Sequence, residues 1–214
     1  MVQKKDWLIM AVRDASIDPR LLESARKQFR EKGFLGAQLL DICKDVGITT
    51  GAIYKRYKGK EELFEAVVKD TVESMNNILE EAKTVDPNKL SDAEIIGVWV
   101  DTEKNTKLWN RRLMDMKDGL ELLLKCSEGT KYSRYQEYWL DKMSDIDYDY
   151  LKALQKRKLA DEKISRKELH VLVSALWKLY TEPIVHGMSD KEIEHHCKVV
   201  GDLFNWSKAV GIKK

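Results

Sequence analysis

The chain has 214 residues, 43% of them hydrophobic and 35% charged, and its three prolines and eleven glycines favour long helices over a turn-rich β fold. The formal net charge of +2 divides into +6 over residues 1–60 and −4 over the rest, which suits a polyanion-binding head on a mildly acidic body and is equally readable as a chance imbalance on solvated helix faces. No apolar run approaches the roughly 20 residues of a membrane helix, the start MVQKKDWLIMAVRDAS makes a poor signal peptide, and three cysteines without a CxxC (Cys43, Cys126, Cys197) read as small buried hydrophobes in a reducing cytoplasm rather than as a disulfide framework.

Residues 1–17 read as an extension. Trp7, Leu8, Ala11, Val12 and Ala15 fall at helical spacing behind Lys4 and Lys5, so residues 6–15 are expected to form a short amphipathic helix. Its basic lead is either an arm or a frayed terminus. Asp18-Pro19 is a helix start, with an acceptor at the cap and proline at the first helical position. The helix through LLESARKQFREKG carries an apolar stripe of Leu22, Ala25 and Phe29, flanked by Leu21 and Gln28. Gly33 should end it, with Phe34 as the hydrophobic partner of the cap.

Residues 38–57 hold the informative motif. Leu39, Ile42, Cys43 and Val46 share one helix face, and Gly47 closes that helix as a left-handed cap. Thr49 can cap a second helix through its hydroxyl, and Ala52, Ile53 and Tyr54 open it. Lys55, Arg56, Lys58 and Lys60 follow around Gly59. A helix, a tight glycine turn and a short basic helix make a helix-turn-helix, whose second helix enters the DNA major groove. From Lys60 a helix of about 22 residues, roughly 33 Å long, presents Leu63, Val67, Val68, Val72, Met75, Ile78 and Leu79 on one face and can connect a head to a distant body. Pro87 ends it.

Capping boxes at Ser91–Glu94, Ser165–Glu168 and Ser189–Glu192 fix three further helix starts. Helices are expected over 91–104, 106–126 and 130–158, and Pro183 should kink the apolar run after Ser165. The fold class is therefore all-α: a three-helix head (18–64), a long connecting helix and a larger helical body (65–214), with about nine to ten helices in total. Leu172, Leu176, Leu179, Val200, Leu203 and Phe204 lie on the last two apolar helices, which either close the body's own core or supply half of a four-helix dimer interface. One head buries too little DNA surface for tight specific binding, which favours the dimer.

The stretches LLESARKQFREKGF and DICKDVGITTGAIYKRYKGKEEL, with Phe29, Gly33, Ile42, Gly47, Gly51, Tyr54, Lys60 and Leu63 in an ungapped register, resemble the head of the tetracycline-repressor-like (TetR) transcriptional regulators. LLLKCSEGTKY near residues 122–132 also looks like a stretch found in some bacterial members. Gln38 stands where the family usually places Thr or Ser, and Leu40 where a polar residue is common. The resemblance implies a dimeric, ligand-responsive repressor on a palindromic operator. It implies Tyr54 as a phosphate donor and Lys60 as a phosphate clamp.

The residue chemistry adds Gln38, Thr49, Thr50, Gly51 and Ala52 as DNA contacts at the start of the motif. Lys55 is the candidate for guanine O6/N7. Arg56 and Lys58 are either contacts or solvated charges. Trp99, Trp109, Met116, Trp139, Trp177 and Tyr180 could line an apolar effector pocket or be ordinary core. The alternative is a DNA-binding dimer without a small-molecule effector, its body engaging a protein partner. His195-His196-Cys197 does not make a metal site, because neighbours on a helix point about 100° apart. No nucleophile–base set, phosphate loop or zinc-protease motif points to an enzyme, and no cofactor is implied. The expected partners are double-stranded DNA, a second copy of the chain and a small molecule, with no membrane.

Overall fold

The computed structural model describes residues 17–100 and 102–213. The extension's amphipathic helix lies outside them. The described residues form ten helices of five residues or more and one closing turn: α1 (Ile17–Gly36), α2 (Leu39–Val46), α3 (Thr50–Tyr54), α4 (Lys60–Thr84), α5 (Asp92–Val100), α6 (Thr102–Asp115), α7 (Lys117–Lys125), α8 (Tyr135–Lys156), α9 (Arg166–Val185), α10 (Asp190–Leu203) and α11 (Trp206–Ala209). Their only extended pairing, among the described residues, is an isolated bridge between Ala160 and Ile212. No described helix is long and apolar enough to cross a membrane.

Two apolar cores organise the chain. The first holds the head. In α1 the inward residues are Leu21, Ala25 and Phe29, spaced by four, and Leu22 is the half-buried flank. This reverses the order expected from sequence, where Leu21 and Leu22 are indistinguishable by spacing. Gly33 takes φ 67°, a backbone open to glycine, and turns Phe34 inward. Phe29, Phe34 and Phe64 then pack ring against ring, with centroids 5.0–6.0 Å apart. This core does not stop at residue 64. Val67 and Val68 of α4 and Leu122, Leu123 and Cys126 of α7 belong to it, and the Phe34 N–H donates to the Cys126 carbonyl at 2.9 Å.

The second core fills the body around Trp139, with α8 packed along α9 and α10 along α6. All three capping boxes form, each with its Ser accepting from the Glu N–H and its Glu accepting from the Ser N–H. Elsewhere the helices are more broken than their periodicity suggests. The segment expected over 91–104 is described as parts of α5 and α6, and the Val98 carbonyl of the first accepts from Asn105 Nδ2 of the second at 3.1 Å. The segment 106–126 divides at Met116 (φ −117°, ψ 15°). Residues 131–134 are turns, because the Thr130 hydroxyl donates to Ser127 O (2.7 Å) and accepts from Tyr132 N (3.0 Å). Pro183 does not end α9. It lacks the N–H that would reach the Leu179 carbonyl, and His196 Nε2 takes that carbonyl at 2.7 Å. A carbonyl only accepts, so His196 carries its proton on Nε2.

Candidate nucleic-acid interface and effector cavity

The turn between α2 and α3 forms as its residues require. Gly47 adopts φ 76°, ψ 36° and returns its N–H to Cys43 O at 2.9 Å. Thr49 caps α3, its hydroxyl accepting from Ala52 N at 3.3 Å. Its own O–H proton stays available as a donor. Gln38 occupies the N-cap of α2 without a side-chain bond, so its amide is uncommitted there. Ile53 is buried and anchors α3 to the head core. Gln38, Thr49, Thr50, Gly51, Tyr54 and Lys55 are exposed, and Ala52 is half-buried. Tyr54 is 59% exposed, too far out to be a packing tyrosine. Leu40 is exposed on the same motif.

The basic residues divide by environment. Arg56 is neither a solvated charge nor free: its side chain is 9% exposed, pairs with Asp18 at 2.6 Å and donates to Ala52 O at 3.1 Å. Asp18 therefore ties the start of α1 to the end of α3, a use beyond the helix cap expected of it. Lys58 is exposed, and its N–H donates to the Glu62 carboxylate. Lys60 donates to the carbonyls of Ala37 (2.9 Å) and Leu35 (3.2 Å), and its ammonium lies 4.6 Å from the Phe34 ring centroid. An ammonium has three donors, so one remains for a phosphate.

The head is fastened to the body at α7 and the turns after it. Arg30 pairs with Asp118 (2.9 Å) and Glu121 (3.0 Å), and Lys131 with Glu65 (2.5 Å). Burial raises the pKa of the Cys126 thiol within this seam.

At the other end of α4 the body holds a cavity of about 310 Å³. Trp99, Trp109, Trp139, Trp177 and Tyr180 line it, while Met116 sits at the α6–α7 junction and does not. Trp139 donates its indole N–H to Met75 O of α4 at 2.9 Å. The indole nitrogens of Trp99 and Trp177 are buried without a partner among the described residues. Burial raises the Tyr180 hydroxyl well above its ordinary range. Asp147 also lines the cavity, and burial pushes its carboxyl up to about 7.

Residues 21–67 match the family model described as bacterial regulatory proteins, tetR family. Over those residues the chain carries a TetR-family DNA-binding domain. It is 28% identical over 137 residues to an HTH-type transcriptional regulator of Staphylococcus aureus (strain bovine RF122), a match spanning 63% of this chain and 66% of that one. It is 33% identical over 60 residues to the biofilm operon icaADBC negative transcriptional regulator IcaR of S. aureus (strain Newman), over 28% of this chain and 32% of the relative. The chain thus spans just under two thirds of the first relative and about a third of the second. Among solved structures, a SmeT–triclosan complex shares the fold with a TM-score of 0.60, at 18% identity over 93% of each chain. TetR-family relatives are transcriptional regulators, not enzymes.

Two residues expected at a TetR-type dimer interface are turned the other way. Leu176 of α9 lines the cavity, and Val200 of α10 is buried because α10 packs along α6 and spends that face inside the protomer. Leu203 is 67% exposed, and Leu172, Leu179 and Phe204 are half-buried. Asp147 was missed by the sequence reading. The signal was present: Leu140, Met143, Asp147, Tyr150 and Leu154 recur at helical spacing, which places a carboxylate on an apolar face. His195 is exposed, His196 serves Leu179, and Cys197 Sγ accepts from Asn110 Nδ2 at 3.5 Å, so the three point to different surroundings.

Proposed function

We propose that the chain is a sequence-specific transcriptional repressor whose dimer binds a palindromic operator and is released by a small apolar or aromatic effector. The observation that carries this is α4. Lys60 at its first turn holds the end of α1 and the start of α2, and Ala82 near its end lines the cavity. Those residues lie about 33 Å apart along one helix. A ligand that repacks the cavity moves a lever whose far end sets the position of α2 and α3, which is the requirement for a coupling between two sites.

Thr49, Thr50, Gly51, Tyr54 and Lys55 supply the DNA contacts, with Gln38 beside them. Lys55 reads a base edge and Tyr54 and Lys60 hold phosphates. Dimerisation joins two half-sites, and exposed Leu203 with Leu172, Leu179 and Phe204 supplies apolar surface for it. IcaR is named as a negative regulator and SmeT was solved with triclosan, which supports repression and a small aromatic ligand as the reading for this chain.

Selection of random double-stranded DNA by the purified full-length chain tests the proposal. Enrichment of an inverted repeat with half-sites about one helical turn apart is expected. Recovery of random sequence, or of a site without two-fold symmetry, overturns it.

A further inference from the structure

The cavity has a charge preference. Among the described residues its lining holds one carboxylate, Asp147, and no Lys, Arg or His. Among the described residues no hydrogen bond or ion pair meets that carboxylate, and burial is the sole cause of its raised pKa. The aromatic rings of the lining form one connected wall. Trp109 stacks on Tyr180 at 6.2 Å and meets Trp139 edge-on at 6.0 Å, and Trp139 lies 4.8 Å from Trp177.

Such a wall is not neutral toward charge. Ring faces carry negative potential, which attracts a cation and repels an anion. An unpartnered carboxylate in an apolar cleft is costly on its own, and the cost is relieved when an opposite charge enters. An anionic ligand would meet this carboxylate with no basic side chain to hold it. A neutral aromatic ligand would fill the space and leave Asp147 unpaired. A compact organic cation satisfies both the carboxylate and the rings.

We propose that the cavity binds an organic cation, a quaternary or alkyl ammonium carrying an apolar or aromatic group, with its charged nitrogen held between Asp147 and the faces of the Trp109–Trp139–Trp177 wall. This names the class of effector and rests on the effector reading above. The ligand is small, since the cavity of about 310 Å³ lies at the lower end of the range for small-molecule sites.

Paired probes separate charge from shape. Benzyltrimethylammonium and neopentylbenzene have the same skeleton, with nitrogen in one replaced by carbon in the other. Binding of each to the full-length chain is followed by tryptophan fluorescence and calorimetry, for the parent and for Asp147→Asn. The cation is expected to bind at least about tenfold more tightly than its neutral isostere, and Asp147→Asn to remove that advantage while neutral binding stays within about twofold. Retained neutral binding also shows that the variant is folded. Equal binding of the two probes, or a cation preference that survives Asp147→Asn, or loss of both ligands alike in the variant, overturns the proposal. Binding of neopentylbenzene alone overturns it and leaves the effector cavity standing, whereas binding of neither probe counts against both readings.

Discussion

The ammonium of Lys60 sits 2.9 Å from the carbonyl of Ala37 and 3.2 Å from that of Leu35, which makes it a bracket between α4 and the α1–α2 junction before any DNA is present. A lysine at a helix N-terminus opposes the macrodipole, so from sequence alone a structural role looks unfavourable. The structure supplies the compensation: two carbonyl acceptors and the face of Phe34. Lys60→Met should therefore cost about 1 kcal/mol of stability in the free protein as well as weakening DNA binding. If the dimer neutralises ~6 phosphates, log affinity falls with log salt at a slope of about −5, and losing one contact per protomer makes it shallower by about 2. Chemical denaturation and a salt titration check the two halves separately. An unchanged slope removes Lys60 from the phosphate contacts and leaves the bracket.

The three neighbours Tyr54, Lys55 and Arg56 should respond differently to substitution. Tyr54 is exposed and its hydroxyl has no partner among the described residues, so Tyr54→Phe should leave stability within about 0.5 kcal/mol and weaken binding alike on operator and random DNA. Lys55→Ala should relax selection at one base pair, by about 1–3 kcal/mol. Arg56→Ala should act on the fold. It strips the partner from a largely buried ion pair with Asp18 and should cost roughly 2–3 kcal/mol, seen as a lowered melting temperature without DNA. A normal melting temperature for that variant would show that the Asp18–Arg56 tie is idle.

Much of this was legible in the residues. Gly47, Thr49 and the capping serines announce local geometry through backbone chemistry that needs no tertiary partner, and they fall where the sequence places them. Facing choices were not legible. In α9, Leu169, Val171, Leu172, Val173, Leu176 and Leu179 surround the helix with apolar side chains, so spacing cannot say which of them meets the cavity. Val200 points inward because α10 chooses α6 as its neighbour, a tertiary fact without a local signature. The break at Met116 and the close approach of α7 to α4 belong to the same class.

Asp147 gives stability a pH dependence of unusual sign. Its folded pKa of about 7 lies above the value of about 3.9 in an unfolded chain, so the folded state binds this proton more tightly. Stability from this group is present below pH 4, falls as pH rises from 4 to 7, and is flat above that. About three units correspond to a ceiling of about 4 kcal/mol, which water at the half-buried carboxyl reduces to roughly 1–3. Asp41, Asp86, Glu94, Glu168 and Glu192 have lowered pKa values and contribute the opposite slope, yet they are common to parent and variant and cancel in the difference. Asp147→Asn should thus match the parent near pH 4 and exceed it at pH 8. Urea unfolding at the two pH values decides it, and equal stability at both would mean that the carboxylate is solvated.

Gly119 decides how closely the body grips the lever. A Cβ added there would lie 2.0 Å from Thr71 Oγ1 and 2.9 Å from Thr71 Cβ, and Thr71 is buried on α4. No rotamer of Thr71 moves its Cβ, so Gly119→Ala must push α7 away from α4. That shift would pull Leu122, Leu123 and Cys126 from the head core and loosen the bond from Phe34 N to Cys126 O. Overpacking of this kind costs about 1–3 kcal/mol. The larger consequence is mechanical: with α7 displaced, cavity filling should be felt less by α2 and α3. The variant is expected to melt earlier and to bind DNA with an affinity that ligand changes less than in the parent. Thr71→Ala in the same chain removes Oγ1 but not Cβ, so it should recover part of both properties. Full recovery, or none, would show that the contact between Gly119 and Thr71 is not what couples α7 to α4.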